Sequence, residues 1–185
     1  MEDKYIVTIG RPSYQKNPFF LVDVIKGVHE VHPEVKFYLL GVGYYSPDLE
    51  EMNRMIKEYG LEDAIVLKEW LDHDATMQFV NDALLYLTVS RYEGLPLAIV
   101  EAMALGKCIV ASKVVGNVDC VRDGYNGRVI DLDTPQFVAA LNELLDAPEK
   151  IVEYGRNSRK LYEDEFDIRK RIGMLEDIYH EIAGK

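Results

Sequence analysis

Cysteine and histidine are scarce in this chain. Only two cysteines, Cys108 and Cys120, occur among its 185 residues, too few for a disulfide framework and spaced unlike metal ligands. The four histidines are scattered, without the spacing of a metal pair or of a Ser–His–Asp triad, so we expect surface or packing roles for them. They are His29, His32, His73 and His180.

Positive charge is also in short supply. The chain has 21 Lys and Arg residues against 32 Asp and Glu residues, which gives a formal net charge of -11. A nucleic-acid-binding face needs clustered basic side chains that neutralise phosphates, and this balance argues against one. We therefore expect no nucleic-acid partner, and the basic residues that do occur in loops become more informative.

Long apolar runs are missing as well. No segment approaches the roughly 18 apolar residues of a membrane span, and the first ten residues, MEDKYIVTIG, contain no apolar signal core. Together with the low cysteine content this favours a cytoplasmic setting. The apolar content of 48% suffices for the core of one domain, 1–185. Because the sequence begins almost directly on a predicted strand, we expect it to be cut from something longer.

Strand and helix patterns alternate along the whole chain. This alternation predicts an α/β fold, a Rossmann-like doubly wound parallel sheet of about six strands with helices on both faces. The predicted strands are Tyr5–Ile9, Lys36–Leu40, Ala64–Leu67, Leu84–Val89, Cys108–Ala111 and Gly127–Ile130. Loops that leave parallel strands emerge at one edge of the sheet, where such folds bind ligands.

Capping residues predict where two of the helices begin. Ser46 as N-cap and Pro47 at the first position predict a helix that stops at Gly60. Asp74 predicts the cap of the following helix.

Two pairs of acids are spaced like ligands of a metal ion. They are Asp72 with Asp74 and Asp131 with Asp133. Both pairs precede predicted helices, so capping and turn roles are favoured over metal binding. We expect no metal site.

The segment YEGLPLAIVEAMALG predicts a site next to a helix start. The helix that opens near Leu97 is apolar on every side except at Glu101, and such helices are normally buried. Burial of an unpaired carboxylate costs several kcal/mol, on the order of the desolvation penalty per ion, so Glu101 is either exposed at an edge or directed at a polar ligand. Glu93 precedes it by eight residues. Gly94 permits close approach of a ligand to the backbone, although a well-formed helix start needs no ligand.

Basic residues follow the first predicted strand in the segment GRPSYQKN. An arginine fork and a mobile ammonium, here Arg11 and Lys16, suit a diphosphate. The alternative is a pair of solvated loop charges. Their placement on the same predicted edge as Glu93 and Glu101 favours the diphosphate.

Glycines after the second predicted strand indicate a turn. Gly41 and Gly43 resemble the start of a dinucleotide-binding motif, but Ser46 stands where its third glycine belongs. We interpret the segment as a turn that skirts a nucleotide.

Several segments, taken in order, resemble one enzyme family. GRPSYQKN, EGLPLAIVEAMALG with its E-x7-E spacing, IVAS, VVGNVDCVRDGYNG and FDIRKRIGMLEDIY resemble the C-terminal half of retaining glycosyltransferases of the GT-B fold, family 4 ("glycosyl transferases group 1"). In that family this half binds the nucleotide-sugar donor and a separate N-terminal half binds the acceptor. The resemblance implies that 1–185 is the donor-binding domain and that the acceptor domain is absent from this chain. It implies a role in polysaccharide or glycoconjugate biosynthesis, with peripheral membrane association open through the missing half.

The resemblance also implies roles for single residues. Arg11 and Lys16 would hold the donor diphosphate and stabilise it as the leaving group, and Glu101 would accept hydrogen bonds from the ribose. Glu93 would contact sugar hydroxyls. The remaining implied donor-binding residues are Gly10, Gly41, Gly43, Trp70, Gly94, Leu95, Pro96 and Leu97. The implied donor is a UDP-, GDP- or ADP-sugar, used with retention of configuration and without a cofactor or metal, and Arg11, Lys16 and Glu93 are the implied catalytic residues.

The chain departs from the family pattern at several positions. Glu69 stands where glycine is usual, Val115 replaces the first of two glycines, Cys108 stands where proline is common, and EGLP replaces EGFG. Two alternatives stay open. One is a glycoside hydrolase that uses Glu93 and Glu101 about 5 to 10 Å apart, and the other is a non-catalytic nucleotide-binding or interaction module, because an isolated half is expected to have little turnover.

Overall fold

Six parallel strands form one sheet in the computed structural model, which describes residues 4–43 and 45–184. The strand order is β3-β2-β1-β4-β5-β6, and every paired register is parallel. The strands are β1 Tyr5–Ile9, β2 Lys36–Leu40, β3 Ile65–Lys68, β4 Leu85–Thr88, β5 Ile109–Ser112 and β6 Gly127–Ile130. The predicted doubly wound, Rossmann-like α/β fold is confirmed, with strand bounds that shift by one residue at most.

Helices cover both faces of the sheet. They are α1 Pro18–His29, α2 Leu49–Glu58, α3 His73–Asp82, α4 Leu97–Ala104, α5 Asn117–Cys120, α6 Thr134–Asp146, α7 Pro148–Leu161 and α8 Ile168–Ala183, with a π-helical turn at Tyr162–Phe166. Within the described residues, no helix is both long and apolar enough to cross a membrane.

Alternating strand side chains build two separate cores. Ile6 and Leu87 face a core shared with α1, α2 and α6, whereas Val7 and Tyr86 face one shared with α3 and α4. Successive residues of a strand point to opposite faces, so the apolar runs that predicted the strands fill both layers. Burial on both faces leaves the edge at the strand ends as the place for a ligand.

The starts of α2 and α3 differ from the prediction. Ser46 does not cap a helix, because its Oγ accepts a hydrogen bond from the Gly43 N–H at 3.1 Å, and α2 begins only at Leu49. The cap of α3 is Asp72, which accepts from the Ala75 N–H at 2.8 Å. The predicted capping role of Asp74 was wrong, because Asp72 has the extended backbone of an N-cap and Asp74 already lies in the first turn.

Both cysteines lie in the interior as free thiols. Desolvation by burial raises the pKa of Cys108 to about 12 and that of Cys120 to about 11.

Candidate functional site

The chain reverses its winding direction between β1 and β4. Strands β2 and β3 lie on one side of β1, whereas β4, β5 and β6 lie on the other. The loops that follow β1 and β4, residues 10–17 and 89–96, therefore diverge at the carboxyl edge and leave a crevice there. A crevice at such a reversal is where doubly wound sheets bind ligands.

An ion pair joins the two loops that border this crevice. Lys16 Nζ lies 2.7 Å from Glu93 Oε1, with 31% and 10% of the two side chains exposed. The Gln15 side-chain amide donates to Glu93 Oε2 at 3.3 Å and to the Tyr92 carbonyl at 3.2 Å. The structure thus brings together Lys16 and Glu93, which lie far apart in the sequence, and adds Gln15, which sequence reasoning missed.

A glycine at the end of β1 lets the lysine side chain fold back over its loop. Gly10 has φ 151, and a Cβ there would lie 2.9 Å from Lys16 Cε. Arg11 follows with an exposed side chain, and both basic residues line a small cavity of about 20 Å³ at the end of β1. Two cations therefore stand on one loop at the edge of the crevice.

The turn after β4 leads into α4 with several exposed residues. Gly94, Leu95 and Leu97 are exposed, whereas Pro96 is buried and precedes the first residue of the helix. Among the described residues, no heavy atom outside its own neighbours lies within 4 Å of an ideal Cβ on Gly94. The first N–H groups of a helix have no intrahelical partner. This turn therefore offers backbone donors to a ligand.

The apolar composition of helix α4 predicted burial on all sides, but the helix is partly exposed. Ile99, Ala102 and Met103 face the core, but Leu97 is 64% exposed and the Glu101 side chain is 39% exposed. The helix is short and begins at the rim of the sheet, so one of its sides faces the crevice. Of the two expectations for Glu101, exposure at an edge is the one observed.

Glu101 lines a pocket of about 240 Å³ at the carboxyl edge of the sheet. Gly41 and Trp70 line it too, with Trp70 80% exposed at its rim. His73 Nε2 lies 3.0 Å from Glu101 Oε1, and this hydrogen bond is the first cause of a raised pKa at His73. Gly43 lies in the following turn, with its N–H already bonded to Ser46.

His73 is a pocket residue that the sequence analysis assigned to surface or packing. The signal that could have found it is its position just after β3. The loop between β3 and α3 emerges at the same edge of the sheet as the two loops that border the crevice.

Buried polar groups support the turn that carries Glu93. The Ser112 hydroxyl donates to the Ser90 carbonyl at 2.6 Å, and the Asn117 amide donates to the Ser112 carbonyl at 3.0 Å. Gly116 has φ 86, and a Cβ there would lie 1.9 Å from the Gly94 carbonyl oxygen. The loop after β5 therefore packs directly against the turn and fixes its position relative to the sheet.

The acid pairs act as helix caps at two positions. Asp133 accepts from the Gln136 N–H at 3.0 Å, as Asp72 does for α3. Over residues 4–43 and 45–184, no cluster of three or more His, Cys, Asp or Glu side chains is arranged to hold a metal ion.

The fold and the loops at this edge define the class of the protein. It is a doubly wound α/β domain with a ligand crevice at its winding reversal. Residues 1–161 match the family described as glycosyl transferases group 1, so the chain belongs to that family of GT-B glycosyltransferases.

Several known proteins are similar to this chain in sequence or in fold. The alpha-D-kanosaminyltransferase of Streptomyces kanamyceticus is 27% identical over 99% of this chain and 47% of its own. The C-terminal domain of LpcC, a glycosyl transferase group 1 family protein of Francisella tularensis, superposes with a TM-score of 0.81 at 19% identity, covering 89% of this chain and 87% of that one. Anabaena Alr3699/HepE, solved in complex with UDP-glucose, superposes with a TM-score of 0.84 at 21% identity, covering 100% of this chain and 50% of that one. The chain spans about half the length of the curated relatives it matches.

Proposed function

We propose that this domain binds the nucleoside diphosphate of a nucleotide-sugar donor at the carboxyl edge of its sheet. The observation that carries the proposal is the contact between the loops after β1 and β4, in which Lys16 Nζ lies 2.7 Å from Glu93 Oε1. A pocket large enough for part of a nucleotide, with Glu101 and Trp70 in its lining, opens at the same edge. Cations, carboxylates and backbone N–H donors thus lie at one edge of the sheet. A sugar diphosphate can bind all three, because its phosphates accept from cations and N–H groups and its hydroxyls donate to carboxylates.

The proposed chemistry is stabilisation of a departing diphosphate. Negative charge grows on the diphosphate as the bond to the sugar breaks, and preorganised cations and N–H groups directed at it lower the barrier. Arg11 and Lys16 supply the cations, and the turn before α4 supplies backbone donors. Glu93 binds sugar hydroxyls, and Glu101 accepts from the ribose. We propose transfer with retention of configuration and without a metal, in which the donor phosphate assists the acceptor hydroxyl and neither glutamate acts as a nucleophile.

The whole reaction is proposed to need a second domain. The curated relatives are about twice as long as this chain, and a donor-binding half has no acceptor site of its own in this scheme. We therefore expect this chain to bind donor and to turn it over slowly or not at all unless an acceptor-binding domain is joined to it. The setting we propose for the reaction is the cytoplasm.

The glycoside hydrolase alternative has less support than donor binding. The two glutamates contact different partners, Lys16 for Glu93 and His73 for Glu101. A hydrolase uses its two carboxyls as one pair on either side of a sugar, and it has no need of a lysine held against one of them. The non-catalytic module predicts nucleotide binding as well, and it is separated from the enzyme only by transfer activity in a longer protein.

Calorimetric titration with UDP, GDP and ADP tests the proposal. UDP is the first probe because the similar Anabaena HepE was solved with UDP-glucose. Lys16→Ala should weaken binding about tenfold, the scale of one hydrogen bond to a charged group. Lys160→Ala is the matched control, because it removes an exposed lysine on α7 and should leave the affinity unchanged.

One result would refute donor binding, and another would refute the role given to Lys16. One is the absence of both heat and thermal protection with all three nucleotides. The other is equal UDP affinity for Lys16→Ala and Lys160→Ala, which would show that Lys16 does not hold the diphosphate.

A further inference from the structure

His73 connects two walls of the pocket. It is the first residue of α3, and Glu101 lies in the second turn of α4. The two helices pack against each other, which brings His73 Nε2 to 3.0 Å from Glu101 Oε1. Both side chains are partly exposed, at 68% and 39%, so a molecule in the pocket can reach them.

A glutamate at such a position gains from a fixed partner. Its long side chain loses rotamer entropy when a ligand immobilises it. A carboxylate offers about four acceptor positions, so one hydrogen bond from an imidazole leaves others for a ligand. A residue that restrains Glu101 in advance therefore lowers the cost of binding without blocking it.

We propose that His73 is a positioning residue for nucleotide binding. Its Nε2–H holds the Glu101 carboxylate so that the remaining acceptor positions meet the ribose hydroxyls of the donor. This inference rests on the proposed function, because the ribose belongs to the proposed ligand.

The charges around His73 predict how this role depends on pH. The groups that face the imidazole are Asp74 of α3, whose Oδ1 lies 3.7 Å from Nδ1, and Glu101 of α4. Hydrogen bonding to Glu101, followed by its negative charge, raises the pKa of His73. The imidazole is therefore charged below this raised pKa and neutral above it. Because the positive charge strengthens the hydrogen bond to Glu101, the bond weakens as the pH rises through that pKa. Nucleotide affinity should therefore fall as the pH rises.

A double-mutant cycle tests the proposal in the whole chain. UDP binding is measured by calorimetry and by the fluorescence of Trp70, the only tryptophan in the sequence. His73→Ala should weaken UDP about fivefold, the scale of one net hydrogen bond. His73→Gln keeps a side-chain N–H donor and should recover part of the loss. In the Glu101→Ala background, His73→Ala should cost nothing further.

Three further arms separate positioning from a general structural effect. The affinity for 2′,3′-dideoxy-UDP should be the same for wild type and His73→Ala, because that ligand has no ribose hydroxyls. Wild-type affinity should fall between about pH 6 and about pH 9, whereas that of His73→Gln should not. His180→Ala, which removes an exposed histidine from α8, should bind UDP like wild type.

The outcomes that overturn the proposal are distinct. Equal UDP affinity for wild type and His73→Ala refutes it and leaves the proposed function intact. A loss that persists with Glu101→Ala or with the dideoxy nucleotide also refutes it, because His73 would then act without Glu101. If wild type binds none of UDP, GDP and ADP, the proposed function and this inference fall together.

Discussion

Replacing Gly116 with alanine tests how the loop after β5 supports the turn that carries Glu93. Gly116 has φ 86 and ψ -50, a region in which an L-residue is strained by about 1–3 kcal/mol. Its Cβ would lie 1.9 Å from the Gly94 carbonyl oxygen and 3.0 Å from that of Glu93, and such overpacking costs a further 1–3 kcal/mol or so. We expect the free energy of unfolding to fall by about 2–6 kcal/mol in total. The turn must also move, so UDP affinity should fall on the order of tenfold or more.

Urea unfolding followed by circular dichroism gives the first quantity, and calorimetric titration of the folded variant gives the second. The control is Gly124→Ala. Gly124 has φ 73, but within the described part of the chain no heavy atom beyond its neighbours lies within 4 Å of an ideal Cβ. It should cost about 1–2 kcal/mol from the positive φ alone and leave UDP affinity unchanged. If Gly116→Ala matches Gly124→Ala in stability, or binds UDP like wild type, the support attributed to this loop is refuted.

Substitutions at three other positions test single features of the fold. Asn17 is buried with φ 57 and ψ 52, and its side-chain amide donates to the Val89 carbonyl at 3.3 Å. Asn17→Ala and Asn17→Gly both lose that bond, so Asn17→Ala should be the less stable of the two by about 1–2 kcal/mol in urea unfolding because of its positive φ; equal stability would refute the left-handed strain. A Cβ on Gly155 would lie 2.2 Å from the Gly106 carbonyl oxygen, so Gly155→Ala should lose about 1–3 kcal/mol yet bind UDP like wild type. Hydrogen bonding from Arg169 lowers the pKa of Asp167 from 3.8 to about 2, so its stabilisation of α8 is present above the ordinary pKa and lost as the pH falls towards the lowered one. In Asp167→Asn the helical circular dichroism signal should no longer depend on pH over that acid range. The same acid transition in the variant as in wild type would contradict this.

The strands were predictable because parallel strands buried on both faces are continuous apolar runs in the sequence. Leu85–Thr88 and Ile109–Ser112 are of this kind. The helix starts were less predictable, because a capping side chain has competing partners. Ser46 bonds to the Gly43 N–H, and the Asp48 N–H is tied to the Pro12 carbonyl. Only the folded chain shows which of several hydroxyls and carboxylates meets a helix end.

Part of the site was predictable for a similar reason. Loops after parallel strands emerge at one edge of the sheet, so the placement of Lys16 and Glu93 at a common edge followed from the predicted fold class, whereas their contact depends on the adjacency of β1 and β4. The contact of His73 with Glu101 depends on how α3 packs against α4. Helix packing of that kind leaves no periodic signal that a single sequence displays.

The buried state of Cys108 and Cys120 has a practical consequence for measuring domain movement. A thiol reacts as its thiolate, and both native thiols are shielded and stay protonated near neutral pH, given their raised pKa values of about 12 and about 11. One cysteine introduced at Val115, which is 76% exposed beside the crevice, would then be the reactive position for a maleimide spin label or dye. Paired with a second label on an attached acceptor domain, it would report the distance between the two domains before and after nucleotide is added.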